Sequence, residues 1–375
     1  MNYPRLDIDC SKIHHNAQFL ISQLGLKNIT VTPVTKVCLA HPEIAQVLID
    51  AGAKMLADSR IENIRRMAQA GITVPKMLIR TPMLSQVSSI VKYCDVSLNT
   101  EIQVIKKLSS AAKKSNINHG IIIMVELGDL REGVIPNRVI DFIRNIITLP
   151  NITIRGIGTN LACRYGVAPD DQKMMLLSDI TDEIESTFGL SLDIISGGNS
   201  ASINWALNHT GQTRINNLRI GDAIFLGCEP LEQKKIEGLY TDAITLTAEV
   251  IESKVKPSIP WGTRGSNAFG EKEIITDKGS VSQAIIALGR QDVCVEGLSA
   301  PEGMTIVSST SDHLILETSR ESLAVGEKVR FKLAYSAFLS SMSSPYVHKV
   351  FHSHRTIQNQ EGINNGSVAK KDGLG

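Results

Sequence analysis

The chain has 375 residues, of which 42% are hydrophobic and 21% charged, with a formal net charge of +1 at pH 7. That is the composition of an ordinary globular protein, too long for one small domain and about right for a barrel plus a second domain. So balanced a charge gives no ground for nucleic acid or an anionic membrane surface as a partner.

The first ten residues, MNYPRLDIDC, carry no apolar core of a signal peptide. Their alternation at Leu6-Asp7-Ile8-Asp9 reads as a strand that joins a later sheet. Ser11–Gln23 reads as a helix packed ahead of the first barrel strand. Short apolar runs then alternate with helical patterns. The runs are Ile29–Thr35, Lys54–Ala57, Lys76–Thr81, Asp95–Asn99, Gly120–Leu127, Ile152–Thr159, Leu192–Ser196 and Asn217–Phe225. Between them lie segments such as HPEIAQVLIDAG and DQKMMLLSDITDEIESTFG, with apolar residues at i, i+3 and i+4 and a closing Gly. Eight strands alternating with helices predict an α/β fold, a (β/α)8 TIM barrel. The Lys pairs at 106–107 and 113–114 fall on one of these helices and read as a solvated face.

The rhythm breaks near residue 230. AITLTAEVIESKV, SQAIIALG, DHLILET and GEKVRFKL are strand-like and punctuated by Gly and Pro, which predicts a mostly-β C-terminal domain. The expected organisation is an N-terminal strand at 1–10 joining the β domain, a barrel at 11–232, the β domain at 233–355, and a disordered polar tail at 356–375. The cysteines at 10, 38, 94, 163, 228 and 294 form no CxxC pair and read as reduced thiols. No apolar run reaches the roughly 18 residues that span a bilayer. The expectation is a cytoplasmic protein.

Barrel enzymes place their chemistry at the C-terminal ends of the strands. The first strand ends PVTK and puts Lys36 at the mouth, where desolvation favours the neutral, nucleophilic amine. A snorkelling or salt-bridged lysine is the alternative on position alone. The fifth strand runs into VELGDLREG, with Glu126, Asp129 and Arg131; the sixth ends GTNLACRYG; the seventh ends SGGNSAS; the eighth is NLRIGDAIFLG. Backbone amides of such Gly-rich turns, with the helix start that follows, form an anion site. The loops after the seventh and eighth strands are where barrels most often hold phosphate. A reactive lysine facing a phosphate site describes a phosphorylated carbonyl cofactor held as a Schiff base.

These residues resemble the alanine racemase group of pyridoxal 5′-phosphate (PLP) enzymes, fold type III, and within it the alanine/ornithine racemase-like branch. The likeness runs through YPRLDIDCSKIHHNA, PVTKVCLAHPEIAQVL, ADSRIENI, GIGTNLAC, ISGGNSAS, LRIGDAIFLG, ALGRQDV and SSDHLIL, and covers nearly the whole chain apart from the tail. The resemblance implies PLP on Lys36. It implies Arg131 at the cofactor's phenolic oxygen, and Asn199 and Ser200 at its phosphate with Gly221 and the following amide. Arg219 would face the pyridine nitrogen, and Asn160 would replace a ring-stacking histidine. A guanidinium in that place keeps the pyridine nitrogen unprotonated, which weakens the electron sink and suits proton removal and return. A structural ion pair is the plain alternative for Arg219.

Three family features are missing. The stretch WGTRGSNAFG holds no tyrosine where alanine racemases carry a catalytic one on the partner subunit. Met124 stands where some carry a carbamylated lysine, and Ala40 where a phosphate-binding tyrosine is expected. Inverting a carbon needs proton traffic on both faces. Candidates for the second acid/base are His313, Tyr346 and Asp292 in the β domain; turn-capping and packing are the plain readings of the first two, respectively. His352 and His354 are spaced like metal ligands but border a polar tail, so no metal is expected.

The resemblance implies an amino-acid racemase, with a basic amino acid such as ornithine or lysine as substrate and Asp292, Glu126 or Asp129 as sources of a carboxylate for the second ammonium. It also implies a homodimer whose sites are completed by the partner's β domain. The rival readings are a D-threonine aldolase or D-hydroxyamino-acid dehydratase, a non-catalytic PLP carrier, and a cofactor-free Schiff-base aldolase.

Overall fold

The computed structural model describes residues 2–272, 275–319 and 323–352. The chain opens with strand β1 (Arg5–Asp9), which passes directly into helix α1 (Cys10–Gly25). Asp9 makes that junction sharp, because its carboxylate accepts the Ser11 and Lys12 amides at 3.0 and 3.1 Å and so caps the helix. The barrel strands follow: β2 (Thr30–Pro33), β3 (Leu56–Asp58), β4 (Lys76–Leu78), β5 (Val96–Asn99), β6 (His119–Met124), β7 (Ile152–Gly158), β8 (Ile194–Ser196) and β9 (Asn217–Ile220). Helices α2 (Pro42–Asp50), α3 (Ile61–Gln69), α4 (Val87–Tyr93), α5 (Ile102–Lys114), α6 (Val139–Arg144), α7 (Asp171–Phe188) and α8 (Ile203–Asn208) connect them.

All eight pair in parallel in the order β2-β9-β8-β7-β6-β5-β4-β3. A parallel bridge between Val34 and Ala57 closes β2 onto β3, so the predicted barrel is the observed one. Its interior is filled by Val34, Ala57, Met77, Val96, Leu98, Ile122 and Met124. Met124 is therefore a core residue, 1% exposed. Burying a side chain of this size contributes about 1.5–3 kcal/mol.

One barrel element differs from the sequence reading. The run Asn217–Phe225 is not a single strand: it ends at Ile220 and turns at Gly221 into helix α9 (Asp222–Leu226). Continuous apolar character cannot separate a buried strand from a buried short helix, and Ala223 to Phe225 are buried in either case.

The second domain is a largely antiparallel sheet of β10 (Ile244–Pro257), β11 (Ser280–Ile286), β12 (Leu298–Ser299), β13 (Met304–Ser309), β14 (Leu314–Thr318) and β15 (Lys328–Leu333). Helix α10 (Tyr335–Ser343) and strand β16 (His348–His352) complete it. β1 lies between β10 and β16, antiparallel to the first and parallel to the second. Helix α10 packs back on the turn Lys36–Cys38, and Phe338 meets Phe225 edge-on at 5.7 Å. The two domains thus share one apolar core. Among the described residues no helix is long and apolar enough to cross a membrane. The tail at 356–375 and His354 lie outside the described residues.

Candidate active site

The site is built at the mouth of the barrel, where β2, β7, β8 and β9 end. Lys36 opens a one-turn 3-10 helix, Lys36–Cys38, directly after β2. Buried Asp58, at the end of β3, fixes that turn. Its carboxylate accepts the Thr35 hydroxyl at 2.8 Å, the Asn63 amide at 3.0 Å and the Arg60 backbone amide at 2.9 Å. Burial raises the Asp58 pKa, and these three donors oppose the rise. The ADSRIENI segment thus holds the lysine turn from the next strand. Leu39 and Ala40 both take left-handed backbone angles, φ 53° and 49°, and Ala40 is fully buried. A tyrosine comes to the lysine from elsewhere: the Tyr335 ring of α10 lies with its centroid 5.5 Å from Lys36 Nζ.

Next to β2 runs β9, with Pro33 opposite Ile220. Gly221 follows at once, and a Cβ there would lie 3.2 Å from the Val34 carbonyl. The turn after β8 supplies the facing wall. Gly198 has φ +119°, and a Cβ on it would fall 2.8 Å from the Ser202 hydroxyl; one on Gly197 would fall 2.7 Å from Ile215. Only glycine fits both places. Asn199 caps the short helix that follows by accepting the Ala201 amide at 2.9 Å. Buried Ser200 turns its hydroxyl to the Ala223 amide at 3.3 Å. The amides of Gly198, Asn199, Ser200 and Asp222 donate to no protein acceptor among the described residues. Convergent free amides of this kind form an anion-binding nest.

Arg219, on β9, is 4% exposed. Its Nη2 donates to the Thr159 carbonyl at 2.7 Å and its Nη1 to the Ser196 hydroxyl. Ser196 in turn donates to Asn217, whose amide reaches Thr32 at 2.9 Å. Among the described residues no carboxylate pairs with Arg219, so the ion-pair alternative is not what the structure shows. Burial, and then the charge of Arg131, lower its pKa to about 10, and it stays a cation at neutral pH. Arg131 is more exposed and is paired with its neighbour Glu132. Burial works against its charge, but the Glu132 contact prevails and raises the pKa.

Asn160 and Asn199 are joined, Asn199 Nδ2 donating to Asn160 Oδ1 at 3.2 Å and to the Leu161 carbonyl at 2.8 Å. Three buried polar atoms at this mouth have no partner: Thr159 Oγ1, Asn160 Nδ2 and Asp222 Oδ1. Burial raises the Asp222 pKa to about 6, with the Lys36 ammonium pulling it back. Unpaired buried polar groups are costly, and their clustering marks a place shaped for another molecule.

The loop after β7 is anchored by Asp129. Its carboxylate accepts the amides of Cys163, Arg164, Tyr165 and Val167, from 2.9 to 3.4 Å. Burial opposes the charge, yet these four donors keep its pKa below the usual value. Glu126 is likewise taken up by the Gly128, Leu130 and Arg131 amides. Both carboxylates thus hold loop backbone.

The structure therefore brings together Lys36, Arg131, Asn160, Asn199, Ser200, Arg219 and Gly221 from separate strand ends. The β-domain candidates stand apart from them within this chain. His313 is in a turn with Thr310, which accepts its amide at 3.0 Å. Tyr346 is 60% exposed, and Asp292 accepts the Gly289 amide at 2.8 Å. No hydrogen bond among the described residues joins any of the three to Lys36. His352 pairs with Asp7 at 2.8 Å. Sequence reasoning missed Asp58, Asp222 and Tyr335. Asp58 and Asp222 sat in motifs it had singled out; Tyr335 comes from a helix it did not predict.

The family described as alanine racemase, N-terminal domain, matches residues 8–229. A lysine racemase of Thermotoga maritima is 38% identical over 353 residues, covering 94% of this chain and 99% of that protein. An ornithine racemase of Acetoanaerobium sticklandii is 38% identical over 351 residues, covering 92% and 99%. In fold, the alanine racemase of D-cycloserine-producing Streptomyces lavendulae superposes with a TM-score of 0.73 at 16% identity, covering 94% of this chain and 98% of that one. A D-threonine aldolase of Filomicrobium marinum superposes with a TM-score of 0.69 at 16% identity, covering 91% and 89%. With a barrel mouth built around Lys36 and relatives matched along almost their entire length, the chain belongs to the alanine racemase family.

Proposed function

We propose that the protein carries PLP on Lys36 and racemises a diamino acid of the lysine and ornithine type. The chain is an amino-acid racemase of its family, and its 38% identity to a lysine and an ornithine racemase supports the substrate class. One observation carries the cofactor reading: Lys36 and a nest of free backbone amides leave neighbouring strand ends, beside a buried arginine with no carboxylate partner among the described residues.

The residues present fit the cofactor. Ser200 and the amides of Gly198, Asn199, Ser200 and Asp222 would hold its phosphate. Arg219 would face the pyridine nitrogen, Arg131 the phenolic oxygen, and Asn160 the ring. The glycines at 197 and 198 keep the wall thin enough for close approach. When bound, PLP supplies an electron sink that acidifies the Cα–H bond of an attached amino acid.

This chain's own groups do the rest. The Lys36 amine sits on one side of the mouth and takes or returns the α-proton there. Arg219 stays charged and donates, so it adds no proton to the nitrogen it faces and limits the electron sink to proton exchange. Tyr335 roofs the lysine and helps exclude water.

We infer further that two copies associate, each β domain completing the other's site. The loop between β10 and β11 supports this: Trp261 is 95% exposed, and Ile259 and Phe269 are exposed with it. Exposed apolar groups gathered on one loop mark an interaction surface. Asp292, in the same domain, is the carboxylate we assign to the substrate's distal ammonium. Its pKa is raised by burial and by Asp312, against the Gly289 amide. All six cysteines are free, which supports a reducing, cytoplasmic setting.

The test is direct. Purified protein supplemented with PLP should show a lysine-bound cofactor band that Lys36→Ala removes. It should convert L-lysine or L-ornithine to the enantiomer faster than L-alanine. Absence of the band overturns the cofactor reading, and a preference for L-alanine overturns the substrate class.

A further inference from the structure

The reaction needs a proton donor on the side of the α-carbon away from Lys36. Cys163 lies in the loop after β7. Around the ring of eight strands β7 is three positions from β2, so Lys36 and Cys163 reach the mouth from nearly opposite sides. The amide nest after β8 and β9 lies between them.

The thiol lies among the site residues. Its Sγ is 3.5 Å from Asn199 Nδ2, the side chain that also ties down Asn160. It is near enough to Arg131, Arg219 and the Tyr335 hydroxyl for a charge on sulfur to be felt at all three. Tyr335 in turn covers Lys36. The thiol is accessible, whereas Cys10, Cys38 and Cys94 are buried. The Asp129 carboxylate fixes the loop that presents it. The same loop begins with Thr159, fully buried, whose hydroxyl has no partner, and with Asn160, whose Nδ2 has none. These orphans belong to a ligand's surroundings and set Cys163 at the edge of the same space.

Resting on the racemase reading above, we propose that Cys163 is the acid/base that serves the face of the α-carbon opposite Lys36. In one direction the Cα–H bond breaks and its proton passes to the Lys36 amine, while the bonding pair stays on the carbon framework. The Cys163 S–H bond then breaks, its proton forms the new Cα–H bond with that pair, and a thiolate remains. A proton returning from the Lys36 ammonium to sulfur through solvent at the mouth restores both groups. In the other direction the two exchange roles, and nothing is oxidised or reduced.

The experiment uses the PLP-loaded full chain and follows each enantiomer of lysine and ornithine in D2O by NMR and chiral chromatography. Wild type should exchange the α-proton and invert. Cys163→Ala should keep the cofactor band and keep α-exchange with retention from the enantiomer whose proton faces Lys36. Its inversion should fall by about 100-fold or more, the usual effect of a lost general acid/base. Cys163→Ser should fall between the two. Inversion by Cys163→Ala at the wild-type rate would overturn the assignment. So would equal loss of exchange and inversion, or loss of the band, because each describes a structural residue. Failure of the racemase reading would look different: the wild type itself would show no exchange with any amino acid.

Discussion

The Lys36 ammonium and the Tyr335 ring, 299 residues apart in sequence, meet at 5.5 Å. One ends the first barrel strand and the other opens the last helix of the β domain, so the second domain is part of the site's wall. A cation at this distance from a ring face is stabilised by about 0.5–2 kcal/mol. Tyr335→Leu should therefore destabilise the apo-protein by about 0.5–2 kcal/mol, while Tyr335→Phe, which keeps the ring, should lie within about 0.5 kcal/mol of wild type. Urea unfolding of the apo-protein gives both numbers. Equal losses in the two variants would show that the hydroxyl and not the ring matters.

Ser200 is buried, and its hydroxyl accepts the Ala223 amide at 3.3 Å. A hydrogen bond to a charged group contributes about 1.5–3 kcal/mol. Ser200→Ala should thus weaken PLP by about 10- to 150-fold and leave binding of pyridoxal, which lacks the phosphate, nearly unchanged. A parallel loss for both ligands would move the phosphate away from this turn.

Asp222 has a folded pKa of about 6 against an ordinary 3.8, raised by burial and partly restored by Lys36. The folded state binds the extra proton, so the stability this group contributes is complete below pH 3.8 and is lost as pH rises through 6. Allowing for its partial exposure, the loss is about 1–3 kcal/mol. Asp222→Asn mimics the protonated form. Apo-protein with this change should be more stable than wild type above pH 7 by about that amount and equal to it near pH 4. Urea unfolding at the two pH values measures this; a constant difference between them would refute the assignment.

The barrel was legible because its signal is periodic and long-range repeated: apolar runs at Ile29, Lys76 and Gly120 each return after a helical stretch. The anion nest was legible because Gly197 and Gly198 sit where only glycine fits and Gly221 lies close against Val34. Lys36 was legible by position at a strand end. Tyr335 was not, since AYSAFLSSMSS is a short, serine-rich helix with weak periodicity, and nothing local says which strand end it covers. What Asp129 and Glu126 hold was not legible, because a sequence shows a charge but not the loop amides around it. The boundary inside Asn217–Phe225 was hidden for the same reason: burial, not alternation, dictates both halves.

His119, at the start of β6, is 1% exposed, and its Nε2 meets the Ser97 hydroxyl at 2.8 Å. Burial lowers its pKa to about 4, with the Cys94 carbonyl and Asp95 opposing the change. Unfolded chains bind the proton near pH 6.5, so the unfolded state takes up more protons between pH 6.5 and 4. Stability from the neutral ring is therefore complete above pH 6.5 and is lost as pH falls toward 4, by about 3 kcal/mol in all. His119→Gln keeps an amide able to bond Ser97 but does not titrate. The stability advantage of wild type over this variant should shrink by about 2–3 kcal/mol between pH 7.5 and 4.5, measured by urea unfolding of the apo-protein. Asp222 moves the opposite way over that range but is present in both proteins, so it cancels in the difference. Parallel pH curves would mean that the folded protein admits a protonated His119, and that the barrel floor is wetter than its packing indicates.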